Sequence, residues 1–239
     1  IGYRYAETRY YEVEKGNDTA GDFDYDEAIT YPFGYGLSYT NFSQSNFKVE
    51  YEAKSDSYLV SCDVKNEGKT SGKDVVQVYL SKPYTDYDKE NGIEKPAVEL
   101  SCYAKTKELA PGEKETLTMK VDRRSFASYD SYNKKTYLLE NGSYRFILAD
   151  NSHDATDKLL RDDNTDMKSV AVQNVDELIY SKTKNTGYEI TNLFDHADIN
   201  LYDGNGNQDV TYISRSDFDG TVKLGVDENG NLLNHNVSL

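Results

Sequence analysis

Apolar and polar residues alternate through most of the middle of this chain. Tyr58, Val60, Cys62 and Val64 are separated by Leu59, Ser61 and Asp63, the period of two that turns one face of a strand to a core and the other to water. The cluster Asn66-Glu67-Gly68-Lys69-Thr70-Ser71-Gly72 reads as a turn, and Val75–Leu80 as the next strand. After a polar loop over 83–95, Val98, Leu100 and Cys102 fall at alternate positions, Ala110-Pro111-Gly112-Glu113 turns the chain, and Leu117, Met119 and Val121 alternate again. Glu140-Asn141-Gly142-Ser143 then leads into Tyr144, Phe146 and Leu148. Short strands with turn signals at this spacing predict a mostly-β fold, an antiparallel β-sandwich over residues 41–152. The inward set is Val60, Cys62, Val64, Val76 and Val78, then Leu100, Leu117, Met119, Tyr144, Phe146 and Leu148.

The flanks have a different texture. Residues 1–40 mix tyrosine and glycine, from Gly2-Tyr3-Arg4-Tyr5 through the acidic stretch 22–27 to Tyr31-Pro32-Phe33-Gly34-Tyr35-Gly36-Leu37-Ser38-Tyr39. Such a segment suits an irregular chain with rings packed down on another domain. Residues 153–239 are polar and rich in Asp and Asn, with too little apolar material for a core of their own. Within them Asn174–Tyr180 opens a short helix or forms a strand, Val210–Ile213 suits a strand, and Asp227–Asn231 suits a hairpin turn. Both flanks are therefore expected as extended arms. No internal repeat and no low-complexity linker is present.

Charge narrows the choice of partner. Lys and Arg number 27 against 42 Asp and Glu, a formal net charge of −15, the wrong sign for nucleic acid or an anionic membrane surface. No apolar run is long enough to span a bilayer as a helix. Mean hydropathy is low at −0.80, yet 22 tyrosines and 8 phenylalanines, with no tryptophan, place the chain outside the disordered class. Two cysteines cannot build a four-thiolate metal site; Cys62 is expected as a buried free thiol, with no bridge to Cys102. The chain opens on Ile1 with no charged-then-apolar leader, which suggests a cleaved product or a piece of a longer protein. Sequons at Asn17, Asn41, Asn141 and Asn236 occur at about the frequency chance allows, so no compartment follows.

At Tyr31–Thr40 the sequence becomes specific. YPFGYGLSYT resembles the segment of glycoside hydrolase family 3 enzymes, β-glucosidases and their relatives, that leads from an α/β sandwich domain into a fibronectin type III-like domain. IGYRYAET at residues 1–8 resembles the end of that sandwich domain. The Asn66-x-Gly68 turn followed by Val75-Val76-Gln77-Val78-Tyr79, the pair Val98-Glu99-Leu100 with Leu109-Ala110-Pro111-Gly112-Glu113, and Glu140-Asn141-Gly142-Ser143-Tyr144 resemble successive elements of the fibronectin-like domain. Asn141 stands where the family often has Pro, and Tyr137 where Trp is frequent. Tyr188–Phe194 and Asp209–Gly220 resemble the stretch after that domain in a subgroup with reversed domain order, whose (β/α)8 barrel comes last. The resemblance implies three parts: residues 1–40 as the tail of an α/β sandwich domain and linker, 41–152 as the fibronectin type III-like domain, and 153–239 as an interdomain segment leading towards the barrel.

The same resemblance implies retaining hydrolysis of terminal β-linked sugars by a nucleophilic Asp on the barrel and an acid/base Glu on the sandwich domain, two carboxyl groups about 5–5.5 Å apart. Neither domain is expected here, so no catalytic, cofactor or metal residue is assigned and the chain alone is expected to be inactive. Asp217, in Ser216-Asp217-Phe218, resembles the Ser-Asp-Trp setting of the nucleophile but sits in the interdomain segment. Asp203–Asp209 alternates oxygen ligands as a calcium loop does, yet an EF-hand register would put Gln208 and Ser214 where Gly and Glu are needed; an Asx-rich turn is the plainer reading. His153, His196 and His235 lack ligand spacing. The expected partners are the catalytic domains of the parent enzyme. Abundant tyrosine keeps open a stand-alone carbohydrate-binding sandwich with an oligosaccharide partner, and a cell-surface adhesion module is a third reading of the same architecture.

Overall fold

The structure, a computed structural model, describes residues 2–162, 168–192 and 212–218. Along the chain run α1 (Tyr3–Glu14), α2 (Tyr25–Ala28), β1 (Phe42–Glu52), β2 (Ser57–Asn66), β3 (Val75–Ser81), α3 (Asp86–Glu90), β4 (Glu99–Lys105), β5 (Lys114–Asp122), β6 (Ser128–Asp130), β7 (Thr136–Leu139), β8 (Gly142–Ala149), α4 (Ser152–Asp162), β9 (Val170–Val175) and β10 (Leu178–Tyr180). Among the described residues three sheets form, in the orders β1-β2-β5, β4-β3-β8-β9 and β10-β7-β6, with antiparallel pairing throughout. Residues 1–192 make one compact unit, and 193–239 a second.

The main core lies where the first two sheets face each other. Tyr58, Val60, Cys62 and Val64 of β2 meet Val76, Val78 and Leu80 of β3 and Tyr144, Phe146 and Leu148 of β8, all buried. Residue-by-residue alternation along β2 is the pattern expected, with Val64 fully buried and Lys65 on the other face. Burying a side chain such as Phe146 contributes about 1.5–3 kcal/mol, which makes this seam the main source of stability. Met119 is buried and Leu117 half-buried beside it.

One residue departs from the expected set for a definable reason. Val78 pairs with Cys102 but Tyr79 pairs with Leu100, so Ser101 is an extra residue in β4. A bulge of this kind breaks the period of two. Cys102 therefore packs in the core between the sheets, whereas Leu100 joins a second cluster with Tyr79, Val98, Ile147, Ala149, Ala155 and Leu159. That cluster lies between the outer face of the β4-β3-β8-β9 sheet and the helices, with Tyr3 and Tyr11 of α1 packed against it. The 4-stranded sheet is thus covered on both faces, which is why Val75–Leu80 and Tyr144–Ala149 read as nearly continuous apolar runs.

The described parts of the flanks include two packed helices where extended arms are expected. Residues 3–14 form α1 because the helix-breaking glycines stand only at its ends, Gly2 and Gly16, while Tyr3, Ala6 and Tyr10 recur at helical spacing. Residues 152–162 form α4, with Ala155 and Leu159 one turn apart on the buried face and Asp154–Lys158 and Asp157–Arg161 ion pairs at i,i+4 on the outside. The Asn174–Tyr180 ambiguity resolves as strand: β9 adds to β8, and β10 pairs with β7. Val210–Thr211, Asp227–Asn231 and the Asp203–Asp209 loop lie outside the described residues.

Candidate functional site

Residues 31–39 run as a strap over the outer face of the four-stranded sheet, and β3 beneath holds it at its backbone. Gln77, a polar residue in a buried strand, donates from Nε2 to the carbonyls of Gly34 (2.9 Å) and Asp150 (2.8 Å). The Tyr79 hydroxyl donates to Gln77 Oε1 (2.8 Å) and lies 3.3 Å from the Phe33 carbonyl, which also accepts from the Ser152 N–H (2.8 Å). Gly34 has φ +88°, and a Cβ there would come within 2.1 Å of Gln77 Oε1. Only glycine satisfies both conditions. Two sequence motifs, the Pro-Phe-Gly turn and the Val-Val-Gln-Val-Tyr strand, are therefore the two halves of one contact.

A second anchor fixes the end of the strap. Asn66 is fully buried and uses its whole side chain: Oδ1 accepts from Thr40 Oγ1 (2.8 Å) and the Gly68 N–H (3.0 Å), and Nδ2 donates to the carbonyls of Thr70 and Leu109 (2.8 Å each). A Cβ on Gly68 would meet Thr40 Oγ1 at 2.1 Å. This explains the Asn-x-Gly spacing, since four segments close on one amide.

The third anchor is a buried carboxylate. Glu7 of α1 is fully buried and accepts from Tyr25 Oη (2.6 Å), Ser152 Oγ (2.7 Å) and Thr156 Oγ1 (2.8 Å), with His153 Nδ1 at 3.4 Å. Burial alone would push its pKa up; hydrogen bonds from His153, Tyr25, Ser152 and Thr156 outweigh that and hold it below its ordinary value. His153 stacks on Tyr25 at 3.8 Å between ring centroids, and although burial opposes its charge, the Glu7 carboxylate raises its pKa, aided by Asp157 and Asp26. His153 is thus a hydrogen-bonded partner of Glu7 rather than a metal ligand. His196 and His235 lie outside the described residues.

The rings the strap carries point outward. Tyr31 and Tyr35 stack on each other at 5.0 Å, Leu37 is 90% exposed and Tyr39 is wholly exposed. Phe33 stacks face to face on Tyr3 of α1 at 4.1 Å. On either side lies a concavity. One, of about 470 Å³, is lined by Tyr3, Tyr5, Phe23, Tyr25, Ile29 and Tyr31 and is mainly apolar. The other, of about 760 Å³, has Tyr35 and Tyr103 together with Lys73, Asp74, Asp150 and Asn151.

Asp217 lies in the turn before Phe218, whose N–H returns to the Ser214 carbonyl at 2.8 Å. Among the described residues no group of three or more His, Cys, Asp or Glu side chains could hold a metal ion. Cys62 and Cys102 are free thiols, and burial pushes their pKa values up to about 11 and about 12, so neither is a reactive thiolate at neutral pH. A further buried charge cluster pins the loop before β4: Lys95 pairs with Asp88 (2.7 Å) and Glu140 and donates to the Pro83 carbonyl (3.1 Å). Thr85 Oγ1 donates to Glu140 at 2.6 Å and caps α3. Sequence reasoning missed Glu7, Gln77 and Lys95 as anchors, although polar residues inside apolar runs were a visible signal at Gln77.

Residues 74–152 match the model of the fibronectin type III-like domain family. The chain is 38% identical over 170 residues to "Beta-glucosidase A" of Butyrivibrio fibrisolvens, covering 64% of this chain and 18% of that protein. It is 40% identical over 124 residues to "Beta-glucosidase" of Ruminococcus albus, covering 50% of this chain and 12% of that protein. Among solved structures, β-glucosidase 3B from Thermotoga neapolitana in complex with α-D-glucose superposes with a TM-score of 0.54 at 28% identity, over 75% of this chain and 20% of that one. The Bifidobacterium adolescentis GH3 β-glucosidase shares the fold, with a TM-score of 0.56 at 24% identity over 79% of this chain and 22% of that one. The chain thus spans less than a fifth of the length of these curated relatives.

Proposed function

This chain is β-glucosidase-like, of glycoside hydrolase family 3, and carries a fibronectin type III-like domain; from that premise we propose that it is a non-catalytic interdomain body whose partners are the catalytic domains of a parent enzyme. In this reading residues 1–40 close a preceding α/β sandwich domain, 41–152 form the fibronectin-like domain, and 153–239 lead towards a barrel domain. The parent reaction in this reading is retaining hydrolysis of terminal β-linked sugars, as the family resemblance implies; its relatives are named β-glucosidases. The observation that carries the reading is the strap. Its backbone is tied down at Phe33 and Gly34 and its end is fixed through the Thr40 hydroxyl, while Tyr31, Leu37 and Tyr39 stand in solvent, Tyr31 at the edge of an apolar concavity. Rigidly mounted apolar rings suit a surface that another domain covers.

The test is hydrolysis of a chromogenic aryl β-glucoside by the purified chain, with Asp217→Asn alongside. Background turnover is expected for both. A glycosidase needs a proton donor and a nucleophile held on opposite sides of one sugar, and this reading puts that pair on the catalytic domains of the parent enzyme. Robust turnover abolished by the substitution would sink the proposal and make Asp217 catalytic.

A further inference from the structure

The two concavities beside the strap differ in chemistry, and the difference separates two kinds of occupant. The one against α1 offers rings and aliphatic groups. The one against β3 and β4 combines two aromatic faces with a charged and amide-bearing rim. We propose that this second groove is a binding site for a neutral oligosaccharide.

Its aromatic walls are Tyr35, on the strap, and Tyr103, on β4, which are 47% and 68% exposed. A pyranose presents C–H groups on its faces and hydroxyls around its edge, so it stacks on a ring and hydrogen-bonds at its rim. Tyr supplies such a platform with few rotatable bonds to freeze. Asp74, Asp150, Lys73 and Asn151 line the same space and provide acceptors and donors for hydroxyl groups. Asp150 is exposed at the rim of the groove, and burial of its surroundings, with Asp154 and Asp74 nearby, raises its pKa, which Lys158 only partly offsets. A volume of about 760 Å³ falls in the range of small-molecule sites, about 300–1,000 Å³.

The groove is preformed. Its strap wall is held by Gln77 and Tyr79, and its far wall by Asn151, whose Oδ1 accepts the Asp154 N–H at 2.9 Å at the start of α4. Little ordering cost remains for binding. Two lining carboxylates against one lysine, in a chain of net charge −15, select a neutral sugar over a uronic acid.

The experiment is titration calorimetry on the full 239-residue chain with cellotetraose and, separately, tetragalacturonate. Cellotetraose should bind, and tetragalacturonate should bind at least about tenfold more weakly. Tyr103→Ala and Asp150→Asn should each weaken cellotetraose about tenfold, while Tyr103→Phe, which keeps the platform, and Tyr188→Ala, an exposed tyrosine outside the groove, should not. Circular dichroism checks that each variant is folded. Absence of binding at millimolar sugar, binding that survives Tyr103→Ala, or equal affinity for the acidic sugar would each overturn the proposal. Leu37 lines this groove as well; the interdomain reading is tested separately by the hydrolysis assay and rests on Tyr31 and Tyr39, which lie outside the groove.

Discussion

At the scale of single residues, the sharpest consequences come from groups with no room and no water. Val64 is fully buried between the sheets. Val64→Asp would place an unpaired carboxylate there at a cost of several kcal/mol, comparable to the stability of a whole domain, so the variant should be unfolded by circular dichroism at room temperature. Lys95 is a different case. It is the cation facing Asp88 and Glu140 in a site closed to solvent, and Lys95→Ala would leave two buried carboxylates to repel each other. A loss of about 3–5 kcal/mol is expected in urea unfolding. Lys95→Met with Asp88→Asn and Glu140→Gln should recover part of it, because the neutral set removes the uncompensated charge.

At the scale of elements, α1 is fastened to α4 by Glu7, and the fastening has a pH range that follows from its two titrating members. Glu7 has a folded pKa below its ordinary value of 4.5, so its contribution is complete above that value and is lost as pH falls through the lower folded value. His153 has a folded pKa above its ordinary value of 6.5, so its contribution is complete below 6.5 and is lost as pH rises through the higher folded value. The helix should therefore be held most tightly between those two values and loosen towards both sides. Hydrogen exchange of the α1 amides across that range measures this directly. Glu7→Gln should flatten the profile and cost about 1–3 kcal/mol, since a neutral amide accepts more weakly from the same hydroxyls. A profile unchanged by Glu7→Gln would assign the attachment of α1 to Tyr3 and Tyr11 packing instead.

At the scale of the molecule, α1, the strap, the sandwich, α4 and β9–β10 belong to one compact unit, residues 1–192. Limited proteolysis should then release a resistant fragment that begins near the amino terminus rather than near residue 41, because cutting before β1 would have to breach the Glu7, Gly34 and Asn66 anchors. Early loss of residues 1–40, with 45–150 left intact, would mean that these anchors do not hold in solution.

The β-sandwich, the inward face of β2, the core valines of β3 and the burial of Cys62 were legible in the sequence alone. Their signal is local: a period of two, punctuated by turns, is imposed by the geometry of each strand regardless of its neighbours. The family resemblance was legible for the same reason, since Pro-Phe-Gly and Val-Val-Gln are contiguous strings. Tertiary structure alone decided why those strings matter. Gly34 and Gln77 meet across 43 positions, Glu7 and Ser152 across 145, and no periodicity links positions so distant. The bulge at Ser101 likewise left the alternation of Val98, Leu100 and Cys102 intact on paper while sending Leu100 and Cys102 into different cores. Residues 1–40 and 153–239 read as arms because each lacks enough apolar surface for a core of its own. The helices α1 and α4 are ordered because the second face of the β4-β3-β8-β9 sheet is apolar as well, and that face needs a cover that only the folded chain can bring to it.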